Sequence, residues 1–179
     1  MCEALFRDFQ NNLGYTEVDA LKMLLETLKA ESMASNSEKF NLIIKLHPQN
    51  KISDFASILF DDYNDFITFI WIATELPPRD VVMIGDIIVG MASILLVESI
   101  LLKKPTISLQ PNTIADDNLI ATKNGSIPLI TKQQDLGKIL HLLLSDDEFR
   151  LTYLQTQAIL QTDGHAAERV ADTIERMMG

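Results

Sequence analysis

Four short stretches set small or polar residues where an apolar run gives way to a turn. His47-Pro48-Gln49-Asn50 follows residues 40–46, and Gly90-Met91-Ala92-Ser93 follows 87–89. Gln110-Pro111-Asn112-Thr113 follows 106–109, and Thr131-Lys132 follows 127–130. Ligands of open parallel α/β sheets bind outside the carboxyl ends of the strands. If the apolar runs are strands, these turns are the candidate site, and their chemistry is recognition of an anion or of hydroxyl groups.

The turn from Gly90 to Ser93 is the most informative. Small residues let a backbone approach a phosphate, and the N–H groups at a helix start attract anions. Ser93 can cap the helix that follows or donate its hydroxyl to a phosphate oxygen. Glu98 lies one helical turn beyond Ile94 on the same face, leaning back toward the helix start, where a carboxylate can reach ribose hydroxyls. The competing reading makes Gly90 a turn glycine, Ser93 a plain cap and Glu98 a solvated or partnered charge. An acidic residue in so apolar a helix favours the ligand reading, because an unpaired buried carboxylate is expensive.

His47, directly before Pro48, can place an imidazole at the same edge to bond a phosphate; the alternative is a loop histidine beside a turn proline. His141 sits among Ile139, Leu140, Leu142 and Leu143 as a partly exposed helix position, and His165 reads as a helix-start residue. Asp116-Asp117 can bind a metal or sugar, or be an ordinary acidic loop pair. The sequence has no G-x-G-x-x-G, no P-loop lysine motif and no nucleophile elbow, so dinucleotide, ATPase and α/β-hydrolase readings lose support. No cofactor and no metal is implied.

The elements that must position these residues alternate regularly. Thr16 with Asp19 is a weak capping box ahead of the stripe Leu21, Leu24, Leu25 and Leu28. Residues 40–46 read as a strand, Ser53 starts a short helix, and the β-branched and aromatic run 66–72 is a strong strand. Pro77-Pro78 begins a helical turn, 87–89 is a strand, and 93–102 is a helix apolar nearly all round. Lys103-Lys104 suits its C-terminal dipole and Pro105 stops it. Residues 106–109 and 127–130 are further strands. Thr131 with Gln134 opens a helix, and Ser145 with Glu148 opens another, with Leu144 and Phe149 as a hydrophobic staple. A last helix after Gly164 sets Ala167, Val170, Ala171, Ile174 and Met178 on one side. The expected fold is a single α/β domain over residues 1–179: three layers, Rossmann-like, a parallel sheet flanked by helices and a helical C-terminus.

At 179 residues the chain suits one domain, and 47% hydrophobic with 22% charged residues excludes a disordered or fibrous protein. A net charge of −10 argues against nucleic acid, which needs a basic stripe. Cys2 is the only cysteine, so no internal disulfide is available. Residues 81–102 are almost wholly apolar, but Asp86 and Glu98 are costly in a bilayer, and a buried strand plus helix explains the run without a membrane span. Residues 1–10 carry Glu3, Arg7 and Asp8 and no apolar signal core, so a cytoplasmic address is the expectation.

The order of motifs resembles the C-terminal, nucleotide-sugar-binding domain of GT-B-type glycosyltransferases. It runs Ile43-Ile44-Lys45-Leu46-His47-Pro48, then Gly85-Asp86-Ile87-Ile88-Val89-Gly90-Met91-Ala92-Ser93, then Glu98, then Lys104-Pro105-Thr106-Ile107-Ser108. The nearest groups are capsule-polysaccharide and sialic-acid transferases with a His-Pro motif, CDP-glycerol glycerophosphotransferases and UDP-N-acetylglucosamine epimerases. Asp163-Gly164-His165-Ala166-Ala167-Glu168-Arg169 is similar to the last helix of such domains. The resemblance implies a nucleotide or nucleotide sugar as partner. His47 and Ser93 would contact its phosphates and Glu98 would hold the ribose, with Pro48, Gly90, Met91, Ala92 and Gln110 completing the nucleotide-binding site. Two departures matter. GT-B enzymes work between two Rossmann-like domains, and here there is sequence for one. The family domain also opens with a strand, of which little remains in Met1-Cys2-Glu3-Ala4-Leu5-Phe6. An N-terminal partner domain, or self-association that covers exposed sheet surface, is therefore expected. The alternative function is a non-catalytic interaction domain that keeps the fold without ligand binding, with a small complete enzyme built on a dimeric site ranked below it.

Overall fold

A computed structural model describes residues 12–35, 39–72, 75–157 and 163–178. The N-terminal segment read above as a strand remnant, without a signal core, lies outside the described residues.

Helix α1 (Glu17–Ser35) opens as its sequence demands. The Thr16 amide donates to Asp19 Oδ2 at 2.9 Å while the Asp19 amide donates to Thr16 Oγ1 at 3.3 Å, a reciprocal cap. Leu21, Leu24, Leu25 and Leu28 are all buried. Strand β1 (Phe40–Lys45) runs parallel to β2 (Ile67–Ile72), in the register Phe40 to Ile67 and Lys45 to Ile72. The connection between them is two short 3-10 turns, Ile52–Phe55 and Phe60–Tyr63, in place of the expected helix from Ser53. Phe60 packs edge-on against Phe69 and Trp71 of β2, with ring centroids 5.1 and 5.3 Å apart. Aromatic packing of that kind offsets the missing helical hydrogen bonds.

A second sheet holds β3 (Ile88–Gly90), β4 (Thr106–Leu109) and β5 (Leu129–Ile130), parallel and in that order. All four residues of β4 are buried, as a strand covered on both faces must be. Its two hydroxyls are satisfied: Thr106 Oγ1 donates to the Lys104 carbonyl at 2.8 Å and Ser108 Oγ to the Met91 carbonyl at 2.6 Å. Helices α2 (Pro78–Ile84) and α3 (Ile94–Leu101) flank β3, and a short α4 (Ile120–Lys123) precedes β5. Then come α5 (Gln133–Ser145), which packs on α1, α6 (Asp147–Gln157) and α7 (Ala166–Met178). The chain is thus mixed α/β, with short parallel sheets flanked by helices and a C-terminal helix.

Several sequence expectations are corrected. Among the described residues the strands pair as two parallel sheets, β1 with β2 and β3 with β4 and β5, and residues 39–45 and 85–91 line one cavity of about 520 Å³. Lys104 serves a different helix from the one it follows: its Nζ donates to the Met83 carbonyl in the last turn of α2 at 2.8 Å. Thr131 does not cap α5, which starts at Gln133 after Lys132; its carbonyl accepts from the Asn112 amide at 3.2 Å. Ser145 does not open α6. It ends α5, its hydroxyl donating to the His141 carbonyl at 2.7 Å, and Asp146 Oδ1 accepts from the Phe149 amide at 2.8 Å as the cap. That shift also moves Leu144 and Phe149 out of the staple positions. No helix among the described residues is long and apolar enough to cross a membrane.

Candidate functional site at the carboxyl ends of the strands

The turn from Gly90 to Ser93 leaves the end of β3 and enters α3. Gly90 is there for space: a Cβ would sit 2.9 Å from Cδ2 of Leu96, a residue that is itself buried. Ser93 acts as the N-cap, its Oγ accepting from the Leu95 amide at 3.2 Å, so the plain-cap role is in place whatever else the hydroxyl does. Met91 is buried and its carbonyl is approached twice, from β4 and from the residue that follows it. Ser108 Oγ donates at 2.6 Å and Gln110 Nε2 approaches at 3.5 Å, also donating to Ser108 Oγ at 3.0 Å. Gln110 is buried, so its amide fixes the turn from below. Ala92 is half-buried between Met91 and Ser93.

Glu98 departs from expectation. It is exposed, as is Ile94 one turn before it, while Leu95, Leu96, Ser99 and Ile100 form the buried side of α3. The helix therefore has an open face. The cost of burying a carboxylate, which favoured a ligand for Glu98, does not arise. Its geometry remains that of an exposed carboxylate on the same face as the helix start.

The second cluster stands at the end of β1. Half-buried His47 accepts at Nδ1 from the Gln49 amide at 3.3 Å, and its carbonyl accepts from the Asn50 amide at 2.9 Å. Pro48 is exposed at the bend. This tight turn delivers Asn50 into the core rim, where its Nδ2 donates to Glu17 Oε1 at 3.1 Å. Glu17 Oε2 and Asn50 Oδ1 are buried and accept no hydrogen bond among the described residues. Such a pair of acceptors calls for donors, since an unsatisfied buried oxygen costs about 1–3 kcal/mol.

The structure thus gathers Gly90, Met91 and Gln110 around Ser108, with Ser93 capping the helix that follows. His47 and Pro48 stand with Asn50 and Glu17 at the end of β1. Ser108 and Glu17 were not read as site residues from the sequence, whereas Asn50 closes the candidate turn that begins at His47. Ser108 had a signal, a hydroxyl alternating with Thr106 in a buried strand; the pairing of Glu17 with Asn50 had none, the two being distant in sequence.

The other polar candidates have local partners. His141 Nδ1 lies 2.8 Å from Glu31 Oε1, and His165 Nδ1 lies 2.8 Å from Glu168 Oε2 at the start of α7. Asp117 accepts from the Leu119 amide at 3.0 Å and from the Thr122 hydroxyl, holding the start of α4. Arg169 beside Asp163 holds that carboxyl below its ordinary range, with the His165 amide adding to the effect. Among the described residues no group of three His, Cys, Asp or Glu side chains is placed to hold a metal ion.

Compared with known proteins, the chain matches no family model, and no curated protein matches it in sequence.

Proposed function

We propose that this chain is a nucleotide-sugar-binding, glycosyltransferase-like domain of Rossmann-like, three-layer build that needs a second half for catalysis. The observation that supports this most is the clamp on the Met91 carbonyl by Ser108 and Gln110 at the carboxyl end of β3. A turn fixed in this way holds the amides at the start of α3 in one orientation, and preorganised amides bind a diphosphate without paying for ordering. Exposed Glu98 is free to accept from ribose hydroxyls, and His47 offers an imidazole at the neighbouring strand end.

The test is thermal denaturation with UDP, CDP, CMP and UDP-sugars. A ligand of the native state at 100 times its Kd stabilises by about 2.7 kcal/mol, an easily read rise in Tm. Glu98→Ala should weaken the response at least fivefold without lowering the Tm of the free protein, because surface substitutions cost within about 0.5 kcal/mol. A response unchanged in Glu98→Ala places the ligand elsewhere. No response to any nucleotide favours the second reading, a non-catalytic interaction domain. That reading has its own support in α7, none of whose residues is buried although Val170, Ile174, Met177 and Met178 are apolar.

A further inference from the structure

Glu17 and Asn50 form a buried polar pair past the end of β1. Asn50 Nδ2 donates to Glu17 Oε1 at 3.1 Å, and the two residues are only 5% and 8% exposed. The other oxygen of each group, Glu17 Oε2 and Asn50 Oδ1, is buried and has no hydrogen-bond partner among the described residues. Each sits on the group whose other atom makes the bond, so both oxygens belong to one contact. None of the ion pairs among the described residues involves Glu17. The start of α1 offers its carboxylate only about half a positive charge. The pair therefore makes two demands, donors for two oxygens and a cation for one carboxylate, because an uncompensated buried charge is costly.

We infer that Glu17 and Asn50 are the recognition site for a primary ammonium group carried by a small molecule. The ammonium nitrogen donates one N–H to Glu17 Oε2 and another to Asn50 Oδ1, and its charge both offsets the carboxylate and strengthens the bonds. Other occupants meet part of the demand. A water molecule donates to both oxygens and leaves the charge unmatched. A divalent cation matches the charge but takes about six or more oxygens, of which the pair supplies two. A guanidinium fork is made for both oxygens of a carboxylate, and Asn50 already holds Glu17 Oε1.

The pair is held in place from both sides. Glu17 is the first residue of α1, directly after Thr16, whose reciprocal bonds with Asp19 fix the helix start. Asn50 is set by its own turn, its amide donating to the His47 carbonyl at 2.9 Å. Pro48 and Gln49 of that turn are exposed, so a single turn of chain separates Asn50 from the surface. The site is distinct from the turn at Gly90 and stands whether or not a nucleotide binds there.

Titration of the full chain with methylammonium chloride at constant ionic strength, followed through the Asn50 side-chain amide signals by proton–nitrogen NMR, tests this. Methylammonium should bind saturably with a Kd of roughly 5–10 mM, near the ceiling for so small a ligand, and no saturable response up to about 0.2 M overturns the proposal. Tetramethylammonium has the charge without N–H donors, and methanol has a donor without the charge. Both should bind at least tenfold more weakly, and equal binding of either overturns the assignment to ammonium. Glu17→Gln keeps the shape, removes the charge and offers Asn50 Oδ1 a donor of its own, so methylammonium affinity should fall at least tenfold. Undiminished affinity in that variant overturns the site, and if the variant does not fold, the comparison of the three probes on the wild type decides.

Discussion

Ser108 Oγ donates to the Met91 carbonyl across 2.6 Å, so a hydroxyl in the most buried strand holds the backbone of the turn at the end of its neighbour. The bond links fold and site: the same contact that satisfies a buried hydroxyl sets the path of the chain into α3. Ser108→Ala leaves the Met91 carbonyl only the 3.5 Å approach of Gln110. Urea denaturation should show a loss of about 1–2 kcal/mol. If the proposed site is right, the nucleotide-induced rise in Tm should shrink in the same variant.

Gly90→Ala tests the packing under that turn. The added Cβ meets Leu96 Cδ2 at 2.9 Å, and Leu96 is enclosed in a buried cluster with Ile100, Leu119, Ala121 and Ile127. Overpacking of this kind costs about 1–3 kcal/mol. A Tm within a degree of wild type would show that Leu96 can move aside.

Gln157 mimics a strand. Its Oε1 accepts from the Thr106 amide at 3.2 Å and its Nε2 donates to the Thr106 carbonyl at 2.7 Å, tying the end of α6 to β4. Tyr153 OH donates to the same carbonyl at 2.8 Å. In Gln157→Ala the carbonyl keeps Tyr153 and the amide loses its acceptor, so the expected cost is that of one orphaned buried N–H, about 1–3 kcal/mol by denaturant titration. Tyr153→Phe should cost less alone, and the double variant should cost more than the two singles added, because only then is the carbonyl also orphaned.

Alkaline pH should expose a tyrosine dependence. Burial, reinforced by the 2.5 Å hydrogen bond to Glu26 and its charge, pushes the Tyr63 hydroxyl from 10.0 up to about 12. Burial also raises Tyr153. The folded state then holds protons that the unfolded chain releases, so stability falls as pH rises. The Tyr63 contribution is fully present below pH about 10 and is lost as pH climbs toward about 12. Tyr63→Phe should flatten that part of the stability curve, with tyrosinate absorbance reporting one late-titrating group fewer. An equally steep curve in the variant would assign the dependence to another group.

Much of the architecture was legible because it is set within a few residues. The reciprocal cap of Thr16 and Asp19, the leucine stripe of α1 and the proline start of α2 appear as read, since each depends on neighbours three or four positions away. Strand positions agree to within a residue or two for the same reason. Helix starts failed where two cap residues competed. Ser145 and Asp146 are both good N-caps, and the backward bond from Ser145 to the His141 carbonyl leaves Asp146 the cap role.

What the chain determined by itself was its alternation of strands and helices, its local caps and the small-residue turn after β3, all consequences of side-chain period and backbone freedom. Only the tertiary structure decided that Glu98 is exposed, that Lys104 reaches the end of another helix, that Asn50 meets Glu17, and that residues 39–45 and 85–91 line one cavity. These are matters of which surfaces meet across long stretches of chain, and a pattern of period two or 3.6 names a face without naming what covers it.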